Sequence, residues 1–486
     1  MQATIATTTL TGVEAVPVEV QADVSPGLPV FGIVGLADTA VQEARDRVRA
    51  ALRAAGFDFP NARVIVNLAP APLRKHGTGF DLPIALAVLC ATGQVPRGPL
   101  DGVTAVGELG LDGSVREVPG MLAHAISAAS ADRDLLGPCS AGRVVGVVPQ
   151  LRYRGIESIG RMKGGLPESA RCSRPGAPCV PVSTIDIADI AGHAAAKRGL
   201  EIAAAGRHNL LLVGPPGSGK SMLARALCGV LPPLTDAERL ESALVHSVAG
   251  LDPRPCLDGA RPFRSPHHSC SVAGLVGGGT PPRPGEMSLA HHGVLFLDEL
   301  PEFGPASLQA LRQPIEEGVI TLVRAHGAVR YPARVTVAAA MNPCPCGYAG
   351  DPARECRCTD GAVARYAARI GGPLYDRMDL TLRIDRVDPA LIIDDAQAAP
   401  LSEAVRRRIA EAQTFAAARK PSSIRSQLEP AARSLLEDAA RRTHLSGRAV
   451  TRVVRVARTI ADMEGSIVIE VPHVAEALGY RSWETA

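Results

Sequence analysis

The sequence predicts an α/β protein built around a parallel sheet, and three stretches carry that prediction. Residues 209–213 are a short apolar run, a glycine-rich turn follows, and residues 221–227 then take helical spacing. Residues 293–299, Gly-Val-Leu-Phe-Leu-Asp-Glu, are a second apolar run, ending in two carboxylates. Residues 335–341 are a third, followed by Asn342 and Pro343. Short apolar runs separated by helical segments suit strands buried on both faces of a parallel sheet.

The glycine-rich turn is the most specific of these features. Gly214, Pro215, Pro216, Gly217, Ser218, Gly219, Lys220 and Ser221 match the pattern G-x-x-x-x-G-K-[ST] without a mismatch. Strand, turn and helix start together aim backbone N–H groups and a positive helix end at a polyphosphate. Lys220 adds a mobile charge for the β- and γ-phosphates, and the Ser221 hydroxyl can ligate Mg²⁺. A glycine-rich turn that binds nothing is the bland alternative, and the strand and helix flanks argue against it. The expected cofactors are ATP and Mg²⁺.

The second run supplies the hydrolytic groups. Asp298, at the strand's carboxyl end, can hold Mg²⁺ through water, and Glu299 can take a proton from the attacking water. Asn342 is suited to orienting that water; its alternative is a turn residue before proline.

Several further stretches make a resemblance specific. They are Arg261-Pro-Phe-Arg-Ser-Pro-His-His268, Pro282-Arg-Pro-Gly-Glu-Met-Ser-Leu-Ala-His291, Asp298-Glu-Leu-Pro-Glu-Phe303, Met341-Asn-Pro-Cys-Pro-Cys-Gly347 and Ala457-Arg-Thr-Ile-Ala-Asp462. With the phosphate loop, they resemble an AAA+ ATPase of the magnesium-chelatase-like ComM (YifB) family, over essentially the whole chain. One departure is His193 after Gly192, where the family usually has glutamine; it touches adenine-side packing rather than hydrolysis.

The resemblance implies a homo-oligomeric ring, expected to be a hexamer, with ATP sites between subunits. Arg377, in Leu374-Tyr-Asp-Arg-Met-Asp379, matches the family's arginine-finger segment. A finger from the neighbouring subunit stabilises charge on the transferring phosphoryl group. A salt bridge to Asp376 or Asp379 is the alternative. Arg448 matches the arginine with which the helical lid senses nucleotide, and Arg452, Arg455 and Arg458 read as surface or interface charges.

The chain divides by pattern into residues 1–160, an α/β domain; 161–181, a linker rich in Gly and Pro; 182–392, the ATPase core; and 393–486, an Ala-, Arg- and Glu-rich helical lid. In the first domain, residues 13–20 alternate as a strand, 37–55 are an amphipathic helix, 63–68 a strand, 81–92 a helix and 111–114 a hairpin turn. This domain resembles the fold of the Lon proteolytic domain (ribosomal S5 domain 2-like). A Ser–Lys protease needs a nucleophile and a base. Their places hold Gly79 and Leu122, so a non-catalytic module is expected.

Bulk properties fit a soluble multidomain enzyme: 486 residues, 46% hydrophobic, and a net charge of only +3. No basic tail advertises nucleic acid, so any DNA contact must come from local patches. The first ten residues lack the features of a secretory signal, and the longest apolar run, near residues 82–91, is too short to span a membrane. A cytoplasmic location without membrane contact is the expectation.

Of 11 cysteines, Cys344, Cys346, Cys356 and Cys358 cluster as C-x-C, nine residues, C-x-C. Four thiolates can complete a tetrahedral zinc site; reduced structural thiols are the alternative, because zinc spacing is more often C-x₂-C.

Residues 319–331 read as a β-hairpin with Arg324 and His326 at its tip, which the resemblance points into a ring pore. With Arg254, Arg261, Arg264, His267, His268 and Arg283 in the preceding insertion, this tip suits a single-stranded or branched DNA backbone. Pairing of these arginines with nearby acids is the alternative. The resulting expectation is a DNA-translocating ATPase acting in branch migration, during natural transformation or recombination. A chelatase-like motor remodelling an unidentified protein partner is the second reading, and a non-motor scaffold the third.

Overall fold

The computed structural model describes residues 1–171, 185–324, 327–388, 401–419 and 427–481. Two sheets organise it. The N-terminal sheet has eight strands in the order Ala170–Arg171, Arg152–Ile156, Asp134–Pro138, Val103–Ala105, Gln2–Thr11, Glu14–Ser25, Arg63–Ala69, Val30–Val34. Parallel and antiparallel pairs are mixed in it. Helices Thr39–Ala54 and Asp81–Ala91 cover its core; Val41, Ala44, Val48, Ala51 and Leu52 face inward at helical spacing. Asp38 caps the first helix by accepting the Val41 N–H at 2.9 Å. The strand, helix and turn expectations for residues 13–116 match these elements, with small shifts at their ends.

The linker expectation fails in its first part. Residues 159–164 form a 3₁₀ helix whose Met162 is buried in the N-terminal core, and Ala170–Arg171 add an edge strand to the sheet. Glycine and proline content pointed to a linker, but the buried Met162 and the Arg154 bond to the Pro167 carbonyl at 2.5 Å tie this segment down. Residues 172–181 of the linker, and 182–184 after it, lie outside the described residues.

The second sheet has five parallel strands in the order Phe263–Arg264, Val294–Leu297, Thr336–Met341, Leu210–Val213, Leu380–Arg383. The three central strands are wholly buried, as expected of strands covered on both faces, whereas Phe263 and Arg264 on one edge are half-buried and Arg383 on the other is exposed. One face packs on helices Ala194–Gly206 and Lys220–Val230, and these in turn on the C-terminal helices Ser402–Ala418, Pro430–Arg442, Gly447–Met463 and Val471–Gly479. The hairpin Val319–Arg324/Gly327–Pro332 stands outside this sheet as a separate two-stranded ribbon. Ala325 and His326, at its tip, lie outside the described residues.

The N-terminal domain meets the ATPase core at two places. Helix Met121–Ser130 packs on helix Asp236–Val248, sharing a core of Leu122, Ala125, Ala243 and Leu257. The Gly120 N–H donates to the Ser247 carbonyl at 2.8 Å. The turn between the first two strands reaches the hairpin: a β-carbon on Gly12 would stand 2.9 Å from Val329 Cγ1. No helix among the described residues is long and apolar enough to cross a membrane.

Candidate nucleotide site and four-cysteine cluster

Register decides where the functional side chains meet. Val213 pairs with Met341 and Leu297 with Ala339, so three parallel strands end on one edge of the sheet. Brought together there are the 214–221 loop, the Asp298–Glu299 pair and Asn342. The carboxyl edge is where open parallel sheets place ligands.

The loop's geometry fits a polyphosphate. Gly217 and Gly219 take positive φ (77° and 89°), and Lys220 opens the helix Lys220–Val230 directly after them. The Lys220 ammonium donates to the Gly214 carbonyl at 2.7 Å, the Pro215 carbonyl at 2.9 Å and Asn342 Oδ1 at 3.1 Å. Burial lowers its pKa, opposed by the charges of Asp298 and Glu299. The Ser221 hydroxyl donates to Asp298 Oδ2 at 3.1 Å, so the two oxygens that would hold Mg²⁺ already face each other. Bound ATP and Mg²⁺ would bring phosphoryl-transfer chemistry to this edge. The Glu299 carboxylate and the Asn342 amide at this edge are chemically able to accept a proton from water and to orient it. Pro215, Pro216 and Ser218 complete the loop, with Ser218 buried.

Two residues join the site without having been assigned to its chemistry. His268 Nδ1 lies 3.3 Å from Glu299 Oε2. His193, at the start of helix Ala194–Gly206, faces the loop, its Nε2 3.8 Å from where a β-carbon on Gly219 would stand. Neither contact has a sequence motif; only the fold pairs residues this far apart.

The arginines separate from this cluster. Arg377 is 8% exposed and its fork is occupied inside its own chain. It donates to the Arg312 carbonyl at 2.8 Å and the Pro373 carbonyl at 2.5 Å, and pairs with Glu316 at 2.9 Å. The acid partner is therefore Glu316, neither Asp376 nor Asp379. Asp379 instead takes Arg452 at 2.5 Å and the Asn209 N–H at 2.9 Å. Burial would raise the Asp379 pKa, but the His208 hydrogen bond, the His208 and Arg452 charges and the Asn209 N–H hold it at about 2. Arg448 is exposed on the first turn of helix Gly447–Met463. Expected as surface or interface charges, Arg452 is half-buried on Asp379 and Arg458 is buried, binding the Ile467 carbonyl at 2.8 Å and Asp462 at 3.0 Å. Arg455 is exposed.

The insertion is less cationic than its composition suggests. Arg254 pairs with Asp252, Arg261 is buried against Glu238 and the Pro232 and His292 carbonyls, and Arg264 forks onto Glu286 at 2.6 and 2.7 Å. Arg283 and Arg324 stay exposed. The Gly278 backbone pairs with Arg283, and a β-carbon on Gly278 would stand 3.7 Å from the Arg324 guanidinium.

The four cysteines converge. Cys344, Cys346, Cys356 and Cys358 present their sulfurs within 4.8 Å of one another, with separations of 3.3, 3.7 and 3.6 Å among the first three. A tetrahedral zinc with roughly 2.3 Å bonds needs sulfurs about 3.8 Å apart, so the cluster fits the ion. The Ala349 and Cys358 N–H groups donate to Cys344 and Cys356 sulfurs at 3.3 and 3.4 Å. The loop rests on the phosphate loop: at Gly347 (φ 87°) a β-carbon would stand 2.7 Å from Pro216.

In the N-terminal domain the place of a nucleophile is apolar. A side chain at Gly79 would meet the methyls of Val106 and Val118, and Leu122 is fully buried.

Comparison with known proteins gives the family. Residues 186–392 match the family Magnesium chelatase, subunit ChlI; residues 20–139 match Subunit ChlI of Mg-chelatase; residues 400–481 match Magnesium chelatase, subunit ChlI C-terminal. The chain is 42% identical to Uncharacterized protein YifB of Salmonella typhimurium, over 97% of this chain and 95% of that one. It is 41% identical to Competence protein ComM of Haemophilus influenzae, over 97% and 96%. An uncharacterized Mycobacterium bovis protein is 40% identical, over 97% and 96%. The chain thus belongs to the ComM/YifB-like branch of the magnesium-chelatase AAA+ ATPases, which use ATP and Mg²⁺.

Proposed function

We propose that this ATPase forms a ring and couples ATP hydrolysis to movement along single-stranded or branched DNA. The observation that carries the reading is that Arg324, on the hairpin, and Arg283, whose backbone pairs with Gly278, are exposed, whereas Arg254, Arg261 and Arg264 of the insertion are held by acids. Exposed guanidinium groups on the ribbon and in the preceding insertion suit a phosphate backbone. The Haemophilus relative's name, competence protein, fits a role in handling incoming DNA. In the ring, Arg377 acts on the neighbour's site, Arg448 reports from a lid formed by the four C-terminal helices, and the cysteine cluster holds zinc. The N-terminal domain, with its Lon-like fold, serves as a non-catalytic module, and the protein works in the cytoplasm.

A second reading, a motor remodelling a partner protein, is favoured by the matches to a magnesium chelatase subunit. ATPase assays decide between them. Single-stranded or four-way-junction DNA should stimulate turnover, with binding that weakens steeply as salt rises, and Arg324→Ala should lose the stimulation while keeping the basal rate. An active ring indifferent to DNA would hand the case to the protein-remodelling motor.

A further inference from the structure

We propose that Arg452 is a positioning residue for Arg377, tying the arginine offered to a neighbouring subunit to the lid helix of its own. The inference rests on Arg377 acting across the subunit boundary, and it names what holds that arginine in place. To reach a neighbour, the Arg377 guanidinium must leave Arg312, Pro373 and Glu316, while its backbone can stay fixed. The fixing is specific. The Arg377 carbonyl accepts the Arg452 guanidinium at 3.0 Å and the Asn209 side-chain amide at 3.2 Å. Two residues on, the buried Asp379 carboxylate takes the same Arg452 nitrogen at 2.5 Å, and the Asp379 N–H donates to the Asn209 carbonyl at 2.8 Å.

This node reaches the nucleotide edge from two directions. Arg452 belongs to helix Gly447–Met463, one turn after Arg448 on the same face. Further along that helix, Thr459 meets His208 Nε2 at 2.8 Å. His208 and Asn209 lead straight into strand Leu210–Val213 and the phosphate loop. Asn209 Oδ1 also accepts the Val337 N–H at 2.9 Å, in the strand that ends before Asn342. The lid helix, two strands of the nucleotide edge and the turn bearing Arg377 are therefore joined at one place. A lid that shifts with its own nucleotide draws on Arg452, and through it on the Arg377 carbonyl. Displacing an aligned group by about 1 Å costs roughly a hundredfold in rate, so a small lid movement is enough to switch the neighbour's site.

Arg452→Met should lower kcat for ATP about tenfold or more, the loss expected of a hydrogen bond from a charged group, with KM unchanged. Arg452→Lys, whose ammonium can serve both the carbonyl and Asp379, should restore most of the rate. Because Arg452→Met leaves the Asp379 charge buried and unpaired, Arg452→Met/Asp379→Asn is the variant to measure where the single change does not fold, and it should show the same loss of kcat. Rings mixed from Arg452→Met and Glu299→Gln subunits should exceed the weighted mean of the two homogeneous rings, since a site with an intact base then meets a well-placed arginine from the next subunit. A parental kcat in Arg452→Met, or a change confined to KM, overturns the proposal. So does a lack of gain in these mixtures when Arg377→Ala and Glu299→Gln subunits do complement, because Arg452 then acts only within its own subunit. Arg377→Ala mixtures that fail as well overturn the reading of Arg377 across the boundary, and this control tells the two failures apart.

Discussion

In the five-stranded sheet every strand is parallel, and the loops leaving one edge carry Lys220, Ser221, Asp298, Glu299 and Asn342. In the eight-stranded sheet the directions are mixed, the place where a nucleophile would stand is lined by Val106 and Val118, and that of a base holds the buried Leu122. Both are α/β layers with well-buried cores, yet only one gathers polar groups that answer a common ligand. The difference lies in register rather than composition. Strands that end level bring side chains from distant parts of the sequence within hydrogen-bond reach, and chemistry follows from that convergence rather than from the fold class.

The sharpest way to break this comparison is at the subunit boundary. Arg377→Ala should lower turnover by about a thousandfold or more if it serves a neighbouring site. Mixing it with Glu299→Gln subunits should restore part of the activity, because some boundaries then hold an intact base and an intact arginine. No recovery in rings shown to mix would leave Arg377 as the internal tie to Glu316 that the single chain displays. Next, Glu299→Gln should cut turnover at least about a hundredfold while ATP binding, followed by a fluorescent analogue, persists. Retention of near-parental turnover would move the base elsewhere.

Metal content comes third. Purified protein should carry zinc in proportion to chain, and replacing Cys344 and Cys346 by serine should release it and raise the KM for ATP, since Gly347 packs on Pro216. Metal-free protein of normal activity would favour reduced thiols alone.

Smaller effects probe the N-terminal sheet. His124 is buried beside Thr8, and burial, only partly offset by a backbone hydrogen bond, lowers its pKa to about 4. Unfolded, it titrates near 6.5, so between those values the unfolded chain binds more protons. Its contribution is complete above about pH 6.5 and declines as pH falls towards 4, by on the order of 2 kcal/mol. Melting curves from pH 7.5 to 4.5 should show that decline, and His124→Asn should flatten it. Last, Gly79→Ser should lower the melting temperature slightly, create no peptidase and leave ATP turnover unchanged. A change in turnover would tie the two sheets together more closely than their separate chemistries imply.

Much of the nucleotide edge was legible in the sequence because each part is local. The loop motif, the carboxylates ending residues 293–299, Asn342 after its strand and the 319–331 hairpin are all contiguous signals. The cysteine cluster was legible as spacing, although its convergence to 4.8 Å was not. What stayed hidden is pairing across the fold. For Arg254, Arg261 and Arg264 the sequence allowed a DNA-facing charge or pairing with acids, and only the fold supplied the partners Asp252, Glu238 and Glu286. Arg458 read as surface until Asp462 and the Ile467 carbonyl enclosed it. Residues 161–171 read as linker because glycine and proline dominate their composition, whereas one buried methionine and one strand pairing decide their state.

The clasp of Gly12 on Val329 has a mechanical meaning. A two-stranded ribbon standing alone would swing about its root, since it shares no hydrogen-bond ladder with the main sheet. Here its return strand rests against a turn of the eight-stranded sheet, itself braced on helix Asp236–Val248 through Gly120 and Ser247. A cantilever supported along its length bends mostly beyond the last support. Force applied to the ribbon is then spent at the Arg324 end, next to Gly278, while the return strand passes load to the eight-stranded sheet.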